Sequence, residues 1–362
     1  MYYLILFILV LFSTIEVLTG KRSERWFNVS YLLMTAMATF RYGQMDDYFN
    51  YYINYEHPEI YGLIDPLFGL LIGLFKAFSI GYPVFIALLS LTCMLLSYRF
   101  FYKNCGYSCI SLLMFYSYTF MMCPMSSIRQ GICLALLMYM FPLLVEKKNK
   151  QFYIGVLVGC FLHLSFIIVL ILPFLLKLKI YNKVFVIYLI VGLTIIAFLG
   201  ISVATLLPID RVTAYEDSEG GGGSVFIRMA LRALIIAPVL LFKPDEETEG
   251  YYAKAICLIG YGIYCVLSFN DLVAGRLEYY FRSFIFLYAA FLVQNFLRTS
   301  RMLAHLSLLM LVHVFLWFRN IDAGIDRMAY KEGITVLNFP YISVFNKAEL
   351  KEYSAIDTFG LE

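Results

Sequence analysis

Charge is what this chain has least of. Only 15% of its 362 residues are Asp, Glu, Lys or Arg, while 62% are hydrophobic and the mean hydropathy is +0.78. A soluble globular domain carries roughly 25% charged residues, so a water-soluble fold is excluded and an integral membrane protein is implied. The net charge of +3 is too small for nucleic-acid binding, and the positive residues sit mostly in short loops between apolar runs, where they report topology. Eight cysteines are present, with no CxxC pair and no Cys/His spacing of the kind that holds zinc. Cys93, Cys133, Cys160 and Cys257 lie inside apolar runs and read as small core residues. An internal repeat is also lacking, which argues against the common transporter folds.

Apolar runs of about 17 to 25 residues each cross a bilayer, and the chain has room for about ten of them in one all-α bundle covering residues 1–362. The run that begins at Tyr2 lacks a basic n-region and a small-residue cleavage site, so it is expected to stay as a first helix. Lys21, Arg22 and Arg25 form one cytoplasmic loop signal, and Lys147, Lys148 and Lys150 form a second. These place the chain start outside, with spans near 2–19, 26–40, 83–101, 107–123, 127–145, 183–206, 226–242, 252–269, 277–297 and 302–318. Segment 63–79, with Asp65, Pro66 and Lys76, reads as re-entrant or interfacial, because a full crossing would put Arg99 and Lys103 outside. Between Lys150 and Lys177 there is length for one crossing but not two. Two readings stand there: a re-entrant hairpin turning near His163 and Ser165, or one long tilted helix that inverts the sidedness of all that follows. With the hairpin, the outer face carries the loop 41–62, the loop 207–225 with its run Gly220 to Gly223, and the tail 319–362.

On this count Arg41, Asp46, Asp47, Arg129, His163, Arg211, Arg276 and Arg282 all reach the outer face. Ionisable residues beside membrane segments are functional candidates by default, and guanidinium forks suit the oxygens of a diphosphate at headgroup depth. The competing reading for each arginine is an interfacial anchor whose head reaches water. Arg129, followed by Gln130 at the start of an apolar run, is expected to open a helix and to point at a ligand with nothing competing for it. His163 is suited to take a proton from an attacking hydroxyl, or else is a core histidine bonded to a carbonyl. Asp46 and Asp47 are suited to orient a sugar or act as base, and equally to cap a helix starting at Tyr48. The tyrosines from Tyr42 to Tyr55 are either a sugar platform or an interfacial belt. No metal ion is expected, since only Asp46 and Asp47 offer hard oxygen ligands close together.

The stretch Arg41 to Tyr51, RYGQMDDYFNY, resembles the Arg, Gly, Asp-Tyr, Tyr signature of the EpsG family of bacterial exopolysaccharide polymerases, related in role to the Wzy-type O-antigen polymerases. Further matching stretches follow in order: SSIRQGI at Ser126 to Ile132, LHLS at Leu162 to Ser165, a loop from Arg211 to Arg228 holding Tyr215 and the glycine run, GRLEYYF at Gly275 to Phe281, and FPYISVF at Phe339 to Phe345. Two positions depart from the family pattern. Cys133 stands where alanine usually follows Arg-Gln, and Glu278 stands where a small residue is common.

The resemblance implies a polymerase with a GT-C-like membrane architecture in the bacterial cytoplasmic membrane, its active site facing the periplasm or exterior. It implies block glycosyl transfer between undecaprenyl-diphosphate-linked glycans, both donor and acceptor, without cofactor or metal ion. A chain-length regulator protein is a further expected partner. The expected roles are diphosphate binding for Arg129, Arg211, Arg276 and Arg282, base or hydroxyl stabiliser for His163, and catalytic assistance from Asp47 and Arg129. Acceptor binding is expected of Arg41, Asp46, Tyr48, Tyr51, Gln130, Tyr279 and Tyr280. An O-antigen ligase and a flippase for lipid-linked sugars are the alternatives: the first would make one transfer to a terminal acceptor, the second none.

Overall fold

The computed structural model is 79% helix, with no strand among the described residues. It describes residues 1–45, 47–57, 65–178, 247–268, 270–288, 302–327 and 330–353, with scattered positions between 229 and 245. The chain forms two compact units. One holds Met1–Tyr139, Val158–Leu164 and Leu292–Glu362, and the other holds Met140–Leu157 and Ser165–Phe291.

In the first unit, α1 (Tyr2–Thr19) ends on Gly20, whose φ of 64° gives the left-handed turn that closes a helix. Helix α2 (Glu24–Phe40) starts at Ser23, whose hydroxyl accepts the Trp26 N–H (3.4 Å). The expected outer loop contains a helix, α3 (Asp47–Glu56). Asp47 in its first turn complements the helix dipole, and Tyr48, Tyr51 and Tyr55 recur on one buried face. Then come α4 (Pro66–Ala77), α5 (Tyr82–Asn104) and α6 (Ser108–Phe115), which runs on into a π-helical turn, Tyr116–Phe120. That turn leaves the Ser117 carbonyl to accept from Asn320 Nδ2 (2.6 Å), while the Ser117 hydroxyl meets His313 Nδ1 (2.8 Å). Both partners lie on α11, defined below.

Helix α7 (Ile128–Val145) and helix α8 (Asn149–Leu162) follow. The α pattern then breaks at His163, and the chain resumes as a 3-10 segment, Leu164–Ile171, with short helical turns to Leu178. A single uninterrupted helix through 152–176 is therefore not what forms. In the second unit, α9 (Glu249–Val266) is capped by Thr248 and α10 (Asp271–Arg282) by Asn270, each accepting a backbone N–H three residues on. The Asn270 cap makes α10 begin earlier than the 277 expected from hydropathy, so Arg276 lies within the helix and not at its outer end. Gly260 of α9 meets α10 so closely that an added Cβ would lie 2.4 Å from Phe281 Cβ. Helix α11 (Met302–Arg327) extends well beyond the expected end at 318.

Four helices among the described residues are long and apolar enough to cross a membrane: α1, α5, α7 and the Leu306–Asp326 part of α11. On α11 Leu308, Leu311 and Phe315 are exposed while His313, Trp317 and Ile321 are buried, the pattern of a helix with one face toward lipid. The expected span 183–206 and most of 226–242 lie outside the described residues. Pro66–Ala77, Ser108–Phe120 and Leu164–Leu175 are apolar but shorter than a crossing.

The tail after α11 folds back on the loop that follows α2. Tyr42 N–H donates to Ile342 O (3.0 Å) and Val344 N–H donates to Phe40 O (2.9 Å). Gln44 Nε2 donates to Pro340 O (2.7 Å), and the Tyr2 ring packs on Phe339 and Tyr341.

Candidate functional site

Asp65 is the hub of a cluster in the first unit. It stands at the N-cap position before Pro66 yet makes no capping bond with its side chain. Its carboxylate, 2% exposed, instead gathers donors from two distant segments. Oδ2 accepts from Arg129 Nη1 and faces His163 Nδ1 at 3.5 Å, and Oδ1 accepts the Leu164 N–H at 3.0 Å. That last bond supplies the amide which the broken α8 ladder leaves without a helical acceptor. Burial alone would raise the Asp65 pKa. The hydrogen bond from His163, the Arg129 charge and the Leu164 amide outweigh it, and the carboxyl is held below its ordinary value.

Arg129 is the second residue of α7, as its position after a polar turn suggested. It is not left to a ligand alone, because Asp65 pairs with it and its guanidinium lies over the Tyr51 and Phe68 rings (5.4 and 5.2 Å). Such stacking fixes the plane of the fork. Burial, opposed by the Arg129 charge, pushes the Tyr51 hydroxyl up to about 12, so it stays neutral. Asp47, one turn before Tyr51, accepts from the Ser127 hydroxyl (2.6 Å) just ahead of α7. Gly131 lets the chain turn there, since a Cβ would sit 2.8 Å from Cys123 O. Gln130 is buried, and the Cys133 thiol points to Gly159 O on α8 (3.4 Å).

The structure thus brings Asp47, Tyr51, Arg129 and His163 together with Asp65. His163 is more open than Asp65 or Arg129, with 23% of its side chain exposed against 2% and 14%. Asp65 was not singled out by sequence reasoning. The available signal was an Asp-Pro step opening an apolar run, where an ionisable residue at membrane depth invites a functional reading.

Arg41 and Tyr48 lie beside this group but inside the fold. The Arg41 guanidinium donates to Ala38 O (2.6 Å) and to the Ser90 hydroxyl, and burial lowers its pKa. The Tyr48 ring packs on Tyr42 and Tyr82. Asp46 and Arg211 lie outside the described residues.

In the second unit, Glu278 is fully buried and takes Arg232 Nη1 and Arg282 Nη1 on one oxygen, the latter at 2.9 Å. Tyr264 stacks with Arg232 at 4.0 Å and Tyr279 with Arg282 at 4.5 Å. The unusual Glu278 is explained by these two cations, and the Arg282 charge is shared with it. Tyr280 is buried and meets the Ser165 hydroxyl (2.9 Å), whereas Arg276 is exposed on α10. Among the described residues, no three His, Cys, Asp or Glu side chains gather as a metal site would require.

A family model matches residues 24–343, which include every group of this cluster. The chain belongs to the EpsG family. This is a family of Wzy-type polysaccharide polymerase-like proteins, and a membrane role in polysaccharide synthesis follows for this EpsG chain. Neither the curated proteins nor the solved structures give a match.

Proposed function

We propose that this EpsG protein polymerises lipid-linked repeat units by block glycosyl transfer, with His163 as the general base. The observation that carries this reading is a partly open imidazole facing a buried carboxylate that also pairs with a stacked guanidinium, in a chain of a polymerase family. A hydroxyl at the non-reducing end of the acceptor attacks the donor's anomeric carbon. The new glycosidic C–O bond forms as the C–O bond to the diphosphate breaks, and His163 takes the hydroxyl proton. Undecaprenyl diphosphate is the proposed carrier and leaving group, and the outer face of the cytoplasmic membrane the proposed location.

Asp47 and the Ser127 hydroxyl are suited to orient the acceptor sugar, with Tyr51 beside them. Arg129 steadies developing charge on the donor. Its charge is already offset by Asp65, so a diphosphate needs further cations. Arg276 and Arg211 are proposed for that role, while Arg282 answers first to Glu278.

The test is gene deletion complemented with His163→Ala or Arg129→Ala. Each variant is expected to accumulate normally and to leave surface glycan at one repeat unit. A normal polymer ladder in both would overturn the reading. A wild-type product carrying a single transfer would indicate a ligase, and unprocessed repeat units held on the inner leaflet would indicate a flippase. Chelator added to the membranes is expected to leave the rate unchanged.

A further inference from the structure

The environment of Asp65 reaches beyond an ion pair, because its two oxygens divide their donors by function. Oδ1 takes the Leu164 N–H at 3.0 Å and thereby fixes the backbone immediately after His163. The His163 N–H is separately held by Gly159 O at 2.8 Å, so the residue is anchored on both sides. Oδ2 then faces the Nδ1 edge of the ring at 3.5 Å, a separation at the outer limit of hydrogen bonding in a site without substrate. An ionised carboxylate only accepts, so whichever ring nitrogen faces it must carry the proton. That leaves the other nitrogen with its lone pair.

We propose that Asp65 is the positioning residue of the transfer: it holds His163 as the Nδ1–H tautomer, so that Nε2 is the basic nitrogen presented to the acceptor hydroxyl. This rests on the polymerase reading above for its chemistry and on geometry alone for the tautomer. Arg129 shares Oδ2 and keeps the carboxylate ionised and in place. The Asp65 side chain makes no capping bond to α4 and is turned instead to the Leu164 amide and Arg129. A purely structural Asp65, serving only the Leu164 amide and Arg129, would leave the ring tautomer indifferent to it.

The two roles separate experimentally. In full-length protein labelled with 15N-histidine and reconstituted in lipid nanodiscs at neutral pH, His163 is assigned by its loss in His163→Ala. Its nitrogen shifts are expected to report the Nδ1–H form. Asp65→Asn keeps an acceptor for Leu164 but can offer its NH₂ to the ring, which favours the Nε2–H form, and polymer formation is expected to fall by about 10²- to 10⁴-fold. An Nε2–H tautomer in the wild type would overturn the proposal, and that reading needs no Asp65 variant to fold. So would an Asp65→Asn protein that polymerises normally while His163→Ala does not. If His163→Ala itself polymerises normally, the base assignment fails whatever the tautomer proves to be.

Discussion

Two carboxylates, Asp65 and Glu278, are each buried against arginine, and their removal should have different signatures. Asp65 has a depressed pKa, so its contribution to stability is complete above the ordinary carboxylate value of 3.8 and is lost as pH falls through the lower folded value. Thermal unfolding of the detergent-solubilised protein against pH should therefore show an acid-side loss that is smaller in Asp65→Asn. An unchanged slope in the variant would deny Asp65 that role. Glu278 holds two guanidinium groups with none of its surface exposed. Glu278→Ala strands both, and should destabilise by about 3–5 kcal/mol in chemical unfolding. Glu278→Gln should cost less, since it retains an acceptor. Glu278 was legible in the sequence as a departure from the family pattern, but its partners were not, because Arg232 lies in a different helical segment. Asp65 was harder to read. Its partners stand 64 and 98 positions away, and no local periodicity links them.

The runs that became α1, α5 and α7 were plain in the sequence, since unbroken apolar stretches admit only a helix in lipid. Helix α3 was legible only as the alternative in which Asp46 and Asp47 cap a helix starting at Tyr48, because its tyrosines and acids match a polar loop in composition while repeating at helical spacing. The break at His163 was legible as a conflict between charged loops and available length, yet its cause, the capture of the Leu164 amide by Asp65, is a tertiary event. Gly131 is the point at which element and site meet. Gly131→Ala would press a methyl group into Cys123 O and its carbonyl carbon. The turn that carries Ser127 and Arg129 must then shift, at a cost of about 1–3 kcal/mol. Polymer yield should fall in this variant even though no polar group is lost. Normal yield with normal thermal stability would show that the turn adapts freely.

For the molecule as a whole, the tail after α11 and the loop after α2 must share one face of the membrane, because Ile342 and Val344 exchange main-chain bonds with Tyr42 and Phe40. His57→Cys and Leu337→Cys should therefore react with a membrane-impermeant maleimide from the same side. Background is small, since seven of the eight native cysteines are buried. Labelling from opposite sides would contradict the fold of the first unit. The positive loops in the sequence put both segments outside, but they gave no hint that the tail is laced to the loop after α2. That lacing also sets a timetable for biogenesis. The Arg-Gly-Asp-Tyr segment leaves the ribosome early, and about 300 residues must follow before its binding strip arrives, a wait of roughly 15–60 s at ordinary elongation rates. A nascent chain therefore carries the loop after α2 without these main-chain partners until residues 339–344 have been made.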